Sequence, residues 1–425
     1  MGSSLKRKRK LPLSDLVEKE LRGLSPIQTI MKMAENQAIR KMGLNPEEVI
    51  SFGGGWCNHT APEALRNAYQ AIINDATLFH QSGRYSPIRG DSFCREQICR
   101  FENTIYNLTV LEPQNILLGH SSTQLFHDVL RVVCNPGEPV GFLDPTYANY
   151  LNAVKCALPS SPIWFVPALD PPTWTYLKTP DESLEILKQY CDKGLRVFVI
   201  PVPDNPTSQI PPEGFLKSAL EIMTDRGGYL VLDHAYKALW FGDMPRCYSW
   251  SPEEHSHLIT LHSNSKWLSS LGRRFGWVEA HETVINGLEK INESVLLSPD
   301  SLHSMTTARF LEQTLLDGSL KQYVFDVRTL YEKTAAVMMS TLDSHLGWKR
   351  LTPDGGLYTC CPTPRRKEPR GFVERLLKAT GVLLIPGTGF GPSMSHGLRL
   401  SYGPLCYEHE KIVEGIERIS QYLAK

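Results

Sequence analysis

The chain contains 425 residues, of which 41% are hydrophobic, and its 45 lysines and arginines are balanced by 45 aspartates and glutamates. This composition is typical of a globular protein and excludes a disordered or largely membrane-embedded chain. A formal net charge of zero provides no electrostatic basis for binding nucleic acid or an acidic membrane surface, so we expect neither partner.

The first ten residues, MGSSLKRKRK, are basic and lack the apolar core of a signal peptide. No apolar run in the sequence has the length needed to span a bilayer. These features predict a cytoplasmic protein whose residues 1–12 form a disordered basic arm. The ten cysteines show neither CxxC pairs nor a zinc-binding spacing, so we expect reduced thiols and no metal site.

Beyond residue 60 the sequence alternates between short apolar runs and amphipathic helical patterns. The apolar runs predict strands at 115–119, 139–144, 162–167, 196–203, 229–235 and 258–265. Helices are predicted at 62–73, 91–107, 122–133, 146–156, 181–193 and 213–226. This alternation is typical of an α/β protein with a mainly parallel sheet between helices.

The C-terminal part has a different pattern, which begins with a long helical stretch at 301–345 and a predicted break near Asp317 and Gly318. Strands are predicted at 348–353, 355–362, 382–386 and 397–403, with helices at 371–379 and 407–423. We therefore predict a large domain at 61–310 and a smaller α+β domain at 311–425. The N-terminal segment at 13–60 is expected to pack on the smaller domain.

Polar residues follow several predicted strands, at the sheet edge where ligands of open α/β folds bind. Ser122 and Thr123 begin a helix, which suits an anion, although ordinary helix capping explains them without a ligand. Asp233 ends one strand and Lys266 follows another, an arrangement that a structural ion pair would also explain. Asn205 adds an amide to the same edge.

Taken together, these residues match the requirements of pyridoxal phosphate. The cofactor needs a lysine for imine formation, an acid beside its ring nitrogen and an anion site for its phosphate. Several short motifs accompany them in a fixed order: GGGWCNHTAP (53–62), RYSPIRGD (84–91), DPTYANY (144–150), DNPTS (204–208), DHAY (233–236), SNSKWLSSLGRR (263–274) and GLRLSYG (397–403). In these motifs the chain resembles, over residues 45–420, the fold-type I pyridoxal-phosphate enzymes of the class I/II aminotransferase family.

The resemblance implies catalytic roles for Lys266, Asp233 and Tyr236. Lys266 is expected to form a Schiff base with the cofactor and then to act as general base, while Asp233 keeps the ring nitrogen protonated. Tyr236 and Asn205 are expected to hydrogen-bond the phenolic oxygen. The other expected cofactor contacts are Tyr147 on the ring face and Ser122, Thr123, Ser263 and Arg274 at the phosphate.

The resemblance also implies how the substrate and a second subunit bind. Arg399 is expected to hold the substrate α-carboxylate in a bidentate manner, helped by Asn205 and by the backbone near Gly54 and Gly55. Tyr85 is expected to reach the phosphate bound by the neighbouring subunit. The protein is therefore predicted to be a homodimer.

Some positions depart from the wording usual in the family. Trp56 and Cys57 replace the common Glu-Pro pair, and Ser208 stands where glycine is usual. Trp56 is a candidate substrate contact, although ordinary packing explains it equally well. His59 and Lys237 are further residues that could face the substrate.

None of these departures removes a catalytic group. The predicted function is transfer of an α-amino group between an amino acid and a 2-oxo acid. The alternative is β- or γ-elimination, replacement or cyclisation of an amino acid in specialised biosynthesis, which would use the same catalytic residues. A non-catalytic regulatory protein is disfavoured, because such a protein would be expected to lack Lys266.

Overall fold

The computed structural model describes residues 12–23, 26–364 and 367–425, so the predicted basic arm at 1–12 lies, apart from Pro12, outside the described residues. The helices are α1 (Pro26–Ala34), α2 (Asn36–Lys41), α3 (Glu63–Asn74), α4 (Ala76–Ser82), α5 (Ser92–Tyr106), α6 (Ser121–Val133), α7 (Asn149–Ala157), α8 (Pro180–Asp192), α9 (Glu213–Asp225), α10 (Glu282–Val295), α11 (Ser301–Leu316), α12 (Ser319–His345), α13 (Pro369–Thr380) and α14 (His409–Leu423). None of the helices in the described ranges is both long enough and apolar enough to cross a membrane.

The strands fall into one large sheet and several small ones. They are β1 (Ile50–Ser51), β2 (Ile116–Gly119), β3 (Val140–Asp144), β4 (Ile163–Pro167), β5 (Leu169–Asp170), β6 (Thr175–Tyr176), β7 (Val197–Pro201), β8 (Tyr229–Asp233), β9 (Leu258–Ser263), β10 (Gly276–Ala280), β11 (Tyr358–Pro362), β12 (Val382–Leu383), β13 (Ile385–Pro386) and β14 (Gly397–Ser401).

The large sheet has the strand order β2-β10-β9-β8-β7-β3-β4. Only β10 runs antiparallel to its neighbours, so the predicted mainly parallel sheet is confirmed. The sequence prediction missed β10, because Glu279 interrupts its short apolar run. The Glu279 carboxylate is nevertheless buried, where it accepts a hydrogen bond from Trp277 Nε1 at 2.9 Å.

Side chains alternate along the strands and supply a core on each face of the large sheet. In β7, Val197 and Val199 point to one face while Phe198 and Ile200 point to the other, and all four are fully buried. Helices α6, α7 and α10 cover the first face, and α3, α5, α8, α9 and α11 cover the second. Burial of both faces explains the continuous apolar runs in the sequence.

A smaller antiparallel sheet, with the order β11-β14-β13, lies in the C-terminal part. Its core contains Leu376 from α13, Leu400 from β14 and Ile416 from α14. Phe52, which follows β1, is fully buried in the same core, and β1 pairs in parallel with β12. The chain around residue 50 therefore packs on C-terminal elements.

Two predicted features of the C-terminal part are the helix break near residue 317 and the strand at 348–353. The helix break near residue 317 is confirmed, because α11 ends at Leu316 and Gly318 adopts a positive φ of 75° before α12. The strand predicted at 348–353 is wrong. Arg350 in that segment turns toward α12 and forms an ion pair with Asp343 at 2.6 Å, which leaves the segment irregular.

Replacing Phe52 by alanine is expected to lower the free energy of unfolding by about 3–5 kcal/mol, because a fully buried ring is lost from the smaller core. Urea denaturation monitored by circular dichroism measures this loss. Phe325→Ala is the matched control, since Phe325 on α12 is 51% exposed and its loss is expected to cost little. Equal losses in the two variants would contradict the packing of Phe52 on the C-terminal core.

Candidate active site

The carboxyl ends of β7, β8 and β9 and the first turn of α6 surround a cavity of about 270 Å³, here termed the first cavity. Parallel strands bring their carboxyl ends to one sheet edge, so residues distant in sequence meet there. The predicted cofactor residues lining it are Ser122, Thr123, Tyr147, Asn205, Asp233, Tyr236, Ser263, Lys266 and Arg274. Ser121, Tyr150 and Ser265 line it too, although the sequence prediction gives none of them a cofactor contact.

The end of the first cavity at α6 is rich in hydroxyl groups and carries a positive charge. Ser263 Oγ lies 3.2 Å from Ser121 Oγ and donates to Ser265 Oγ at 2.8 Å. Arg274 Nη1 donates to Ser265 Oγ at 3.3 Å. Because a helix N-terminus and a guanidinium group both attract negative charge, this end is suited to an anion such as a phosphate.

Gly276 permits the close approach of backbone segments at the same end. A Cβ atom at residue 276 would lie 2.2 Å from the carbonyl oxygen of His262 and 2.9 Å from the Cα of Ser121. A larger residue would push β10 away from the first turn of α6. The position of the hydroxyl groups therefore depends on a glycine here.

Lys266 lies on the wall of the first cavity. Its Nζ donates a hydrogen bond to the carbonyl oxygen of Gly55 and lies 5.2 Å from the ring centre of Tyr236. Burial lowers the pKa of Lys266 to about 8, and the positive charges of Arg399 and Arg274 act in the same direction. A substantial fraction of the amine is consequently uncharged, and able to act as nucleophile or base, slightly above neutral pH.

Asp233 lies at the end of β8 and lines the first cavity. Its carboxylate accepts hydrogen bonds from the hydroxyl of Tyr150 and, at 2.8 Å, from the backbone N–H of Ala235. Burial raises the pKa of Asp233, and both hydrogen bonds partly oppose that shift. The two donors hold the carboxylate in a fixed orientation toward the cavity.

Sequence reasoning missed Tyr150, although a signal for it exists. Tyr150 follows Tyr147 by three residues, in a turn that leads into α7, and its backbone N–H donates to the carbonyl oxygen of Tyr147 at 3.0 Å. Their ring centres are 5.3 Å apart in an edge-on arrangement. An aromatic pair at this spacing beside a predicted cofactor ring identifies the second tyrosine as a candidate partner of Asp233.

A second cavity of about 290 Å³ adjoins the first and shares Lys266, Tyr236 and Asn205 with it. The predicted substrate residues Gly54, Gly55, Trp56, Asn205 and Arg399 all line this second cavity. Apolar residues from the C-terminal part supply much of the remaining wall: Leu383, Ile385, Phe390 and Tyr358. The two cavities therefore meet at Lys266.

Arg399 is held at the second cavity by contacts from three parts of the chain. Its Nη1 donates to Asn205 Oδ1 and its Nη2 donates to the carbonyl oxygen of Gly53, both at 2.9 Å. The guanidinium also lies 4.4 Å from the ring centre of Tyr358. Its Nε is buried without a partner, so a donor remains for a ligand.

Tyr358 is another residue that the sequence prediction missed. Its hydroxyl lies 2.6 Å from the hydroxyl of Tyr236, at the boundary between the two cavities. Burial raises the pKa of Tyr358 to about 12, so its hydroxyl stays protonated near neutral pH. Only the tertiary pairing of β11 with β14 brings it there, so no local signal marks it.

Tyr85 is the one predicted cofactor residue that lines neither cavity. Its side chain is 82% exposed on the surface of this chain. Contact between Tyr85 and the phosphate of a neighbouring subunit stays a prediction.

The sequence suggested that His59 and Lys237 could face the substrate. Neither side chain lines the first or the second cavity. His59 is buried, with Nδ1 2.9 Å from Tyr331 Oη and Nε2 3.1 Å from the carbonyl oxygen of Trp267. The ammonium of Lys237 is buried in an ion pair with Glu102. Both side chains point into the protein because buried polar partners are available there.

Comparison with known proteins supports a single family. The family described as aminotransferase class I and II matches residues 47–419 of the chain. A 2-aminoadipate transaminase from Thermus thermophilus is 27% identical, over 88% of this chain and 90% of the relative. An aspartate aminotransferase from Pyrococcus horikoshii is 24% identical, over 93% of this chain and 95% of the relative.

A solved structure gives the same result for the fold. A single mutant of the aspartate aminotransferase from Thermus thermophilus superposes with a TM-score of 0.83 at 21% identity. The superposition covers 97% of this chain and 100% of the other. The fold and its cavities thus define an α/β enzyme of aminotransferase fold type I.

The chain belongs to the aminotransferase class I and II family, and the predicted aminotransferase activity is confirmed at this level. The identity of the amino acid does not follow, since the relatives named above act on different substrates.

The amine of Lys266 is expected to react half-maximally with an amine-specific reagent near pH 8 in the cofactor-free protein, since its pKa is lowered to about 8. Peptide mass spectrometry across a pH series measures this midpoint. Arg274→Met should move it to higher pH, because one nearby positive charge is lost. Arg66→Met, at an exposed residue outside the cavities, is the control, and a midpoint unchanged in both variants would contradict the electrostatic account.

Proposed function

We propose that the protein is a pyridoxal-phosphate-dependent aminotransferase, which moves an α-amino group between an amino acid and a 2-oxo acid. The observation that carries the proposal is that Lys266, Asp233 and Arg274 line one cavity, in which Arg274 donates a hydrogen bond to a serine hydroxyl. Bound pyridoxal phosphate supplies an electron-accepting ring that makes the α-hydrogen of an attached amino acid acidic.

The donor set of the first cavity fits this cofactor at each of its polar groups. Ser122, Thr123, Ser263 and Arg274 would hold the phosphate, and Asp233 would accept a hydrogen bond from the protonated ring nitrogen. Tyr147 would cover the ring face. The orientation of Asn205 agrees with two roles: its oxygen accepts from Arg399, which leaves its NH₂ group free to donate to the phenolic oxygen.

Lys266 performs two jobs in the proposed reaction. Its amine would hold the cofactor covalently, and once displaced by the substrate amine it would act as the base that moves the proton of the substrate Cα. Both jobs need an unprotonated amine. The lowered pKa of Lys266, about 8, provides that form at moderate pH.

Arg399 orients the substrate for this proton transfer. Its guanidinium is 5% exposed and is fixed by Asn205 and Gly53, so it presents a preformed site to the α-carboxylate. With the carboxylate at Arg399 and the amine at Lys266, two substituents of Cα have defined positions. The α-hydrogen is thereby directed toward the amine that must remove it.

Lys266→Ala is expected to abolish the visible absorbance band of protein-bound pyridoxal phosphate and to lower the rate of amino-group transfer by at least about 10²–10⁴-fold, because the general base is lost. Absorbance spectra and a coupled assay with 2-oxo acids measure the two effects. A wild-type protein that binds no added cofactor would overturn the proposal. Exchange of the α-hydrogen for deuterium without any amino-group transfer would instead favour elimination or replacement chemistry.

We also propose that the protein is a homodimer and that Tyr85 completes the phosphate site of the other subunit. Supporting this, Tyr85 is 82% exposed, and large apolar side chains nearby in sequence are exposed as well: Ile73, Phe79 and Phe93. Apolar side chains exposed close together are typical of association surfaces. A cytoplasmic location is proposed on the ground that all ten cysteines are free thiols.

Tyr85→Phe is expected to weaken cofactor binding by about tenfold through loss of one hydrogen bond to a charged phosphate, without changing the oligomeric state. Fluorescence titration with pyridoxal phosphate and analytical ultracentrifugation measure these properties. Tyr407→Phe, another exposed tyrosine outside the cavities, serves as the control. A monomeric wild-type protein, or unchanged cofactor affinity in Tyr85→Phe, would contradict the proposed role.

A further inference from the structure

The second cavity extends beyond the atoms needed to hold the common part of an amino acid. Arg399 lies on its wall, and Lys266 lies where it meets the first cavity. Under the proposed function these residues take the α-carboxylate and the amine. The third substituent of Cα, the side chain, must then occupy the rest of the second cavity.

That remaining space is enclosed mainly by apolar and aromatic side chains. Leu383 is 1% exposed, and Ile385, Phe390 and Tyr358 are fully buried. All four come from the C-terminal part of the chain, where strand pairing and the smaller core fix their positions. The wall is thus rigid and poor in groups that could solvate a charge.

The charged side chains that this chain contributes to the second cavity are already engaged by the common part of the amino acid. Among the described residues that line it, Lys266 and Arg399 are the cationic ones, and none is an aspartate, glutamate or histidine. A second carboxylate on the substrate would find Arg399 occupied by the first. A cationic side chain would find no counter-ion. Burying an unpaired charge is strongly unfavourable, so both kinds of substrate are disfavoured.

Trp56 forms the partly open side of the same cavity. Its indole packs flat against Gly54, where an added Cβ atom would lie 2.4 Å from the ring atom Cζ3. The side chain is 43% exposed, so one part of the indole faces solvent while another lines the cavity. This placement favours a substrate contact over ordinary packing, because an indole at a cavity rim can cover a substrate side chain.

We propose that the second cavity selects amino acids with an uncharged, apolar side chain, aliphatic or aromatic, and that Trp56 is a specificity-determining residue that covers this side chain. The inference rests on the proposed function, because it uses the substrate orientation set by Arg399 and Lys266. It adds the chemical class of the substrate.

The test uses the holoenzyme and follows the absorbance of its bound cofactor after rapid mixing with one amino acid at a time, which requires no choice of 2-oxo acid. Phenylalanine, leucine and methionine are compared with aspartate, glutamate and lysine, with alanine as the reference. The apparent second-order rate constants for the apolar set are expected to exceed those for the charged set by at least about tenfold. Faster reaction with aspartate, glutamate or lysine would overturn the inference.

Variants of Trp56 test the residue itself. Trp56→Ala is expected to reduce the ratio of the phenylalanine rate constant to the alanine rate constant by about tenfold, and Trp56→Phe should restore much of it. Trp56→Arg should raise the glutamate rate constant relative to phenylalanine. Phe325→Ala, an exposed aromatic residue outside both cavities, should leave every ratio unchanged. Ratios that do not respond to any change at Trp56 would refute its proposed role.

Two further measurements distinguish the possible causes of a negative result. Thermal unfolding and the absorbance of bound cofactor show whether each variant is folded and loaded, and a ratio of rate constants within one variant is independent of its active fraction. If no amino acid of either set changes the absorbance of the wild-type holoenzyme, the proposed function fails and the inference falls with it. If only charged amino acids do, the proposed function stands and the inference alone is wrong.

Discussion

The amine of Lys266 faces two guanidinium groups and one carboxylate in a desolvated cavity, and the rest of the site depends on this balance of charge. Burial and the charges of Arg399 and Arg274 favour the neutral amine, while Asp233 favours the ammonium. The thiol of Cys57 would also favour the ammonium if it ionised, but burial raises its pKa to about 11, so it stays neutral at physiological pH. The resulting pKa of Lys266, about 8, is a property of the whole cavity rather than of one neighbour.

A second set of buried charges includes Lys237, which directly follows Tyr236 in the sequence. Glu102 pairs with the ammonium of Lys237, and the imidazole of His262 lies 3.3 Å from Glu279. Burial alone would raise the pKa of Glu279, but the charges of His262 and Lys237 and the hydrogen bonds from His262 and Trp277 together outweigh it and lower that pKa to about 2. Removing one member would leave a buried charge without its partner, which is costly. The network therefore connects α5, β9 and β10 with the segment after β8 that carries Lys237.

Glu102, His262 and Glu279 also lie close enough together to serve as metal ligands, since their ligand atoms are within 4.8 Å of one another. The ammonium of Lys237 already pairs with Glu102, and the stacked ring of Trp277 lies 4.9 Å from that of His262. The ammonium of Lys237 thus supplies positive charge that a bound metal ion would otherwise provide to these carboxylates. This arrangement agrees with a structural role for the cluster.

Much of the fold could be predicted from sequence because both faces of the large sheet are buried. Strands buried on both faces consist of continuous apolar runs, which are easily recognised in the sequence. Strand β10 was not predicted because its buried Glu279 pairs with His262 of β9. A contact between two strands is not visible in a short stretch of sequence. The same limit applies to the residues that line the two cavities. Lys266, Asp233 and Arg274 follow strand ends or motifs and were predictable, whereas Tyr358 reaches Tyr236 only through pairing of β11 with β14.

Arg399 shows why the two cores must stay together for the site to exist. It lies on β14 of the smaller sheet, yet its guanidinium donates to Asn205 beside the large sheet and to Gly53 next to β1. These three segments are far apart in sequence. Gly53 follows Phe52, which packs in the same smaller core as β14, whereas Asn205 lies beside the large sheet. Separation of the two cores would therefore remove the Asn205 acceptor and release a buried guanidinium from its fixed orientation. The guanidinium of Arg399 is consequently held in this orientation at the second cavity only when the large sheet, the smaller sheet and the segment around residue 53 are packed as one unit.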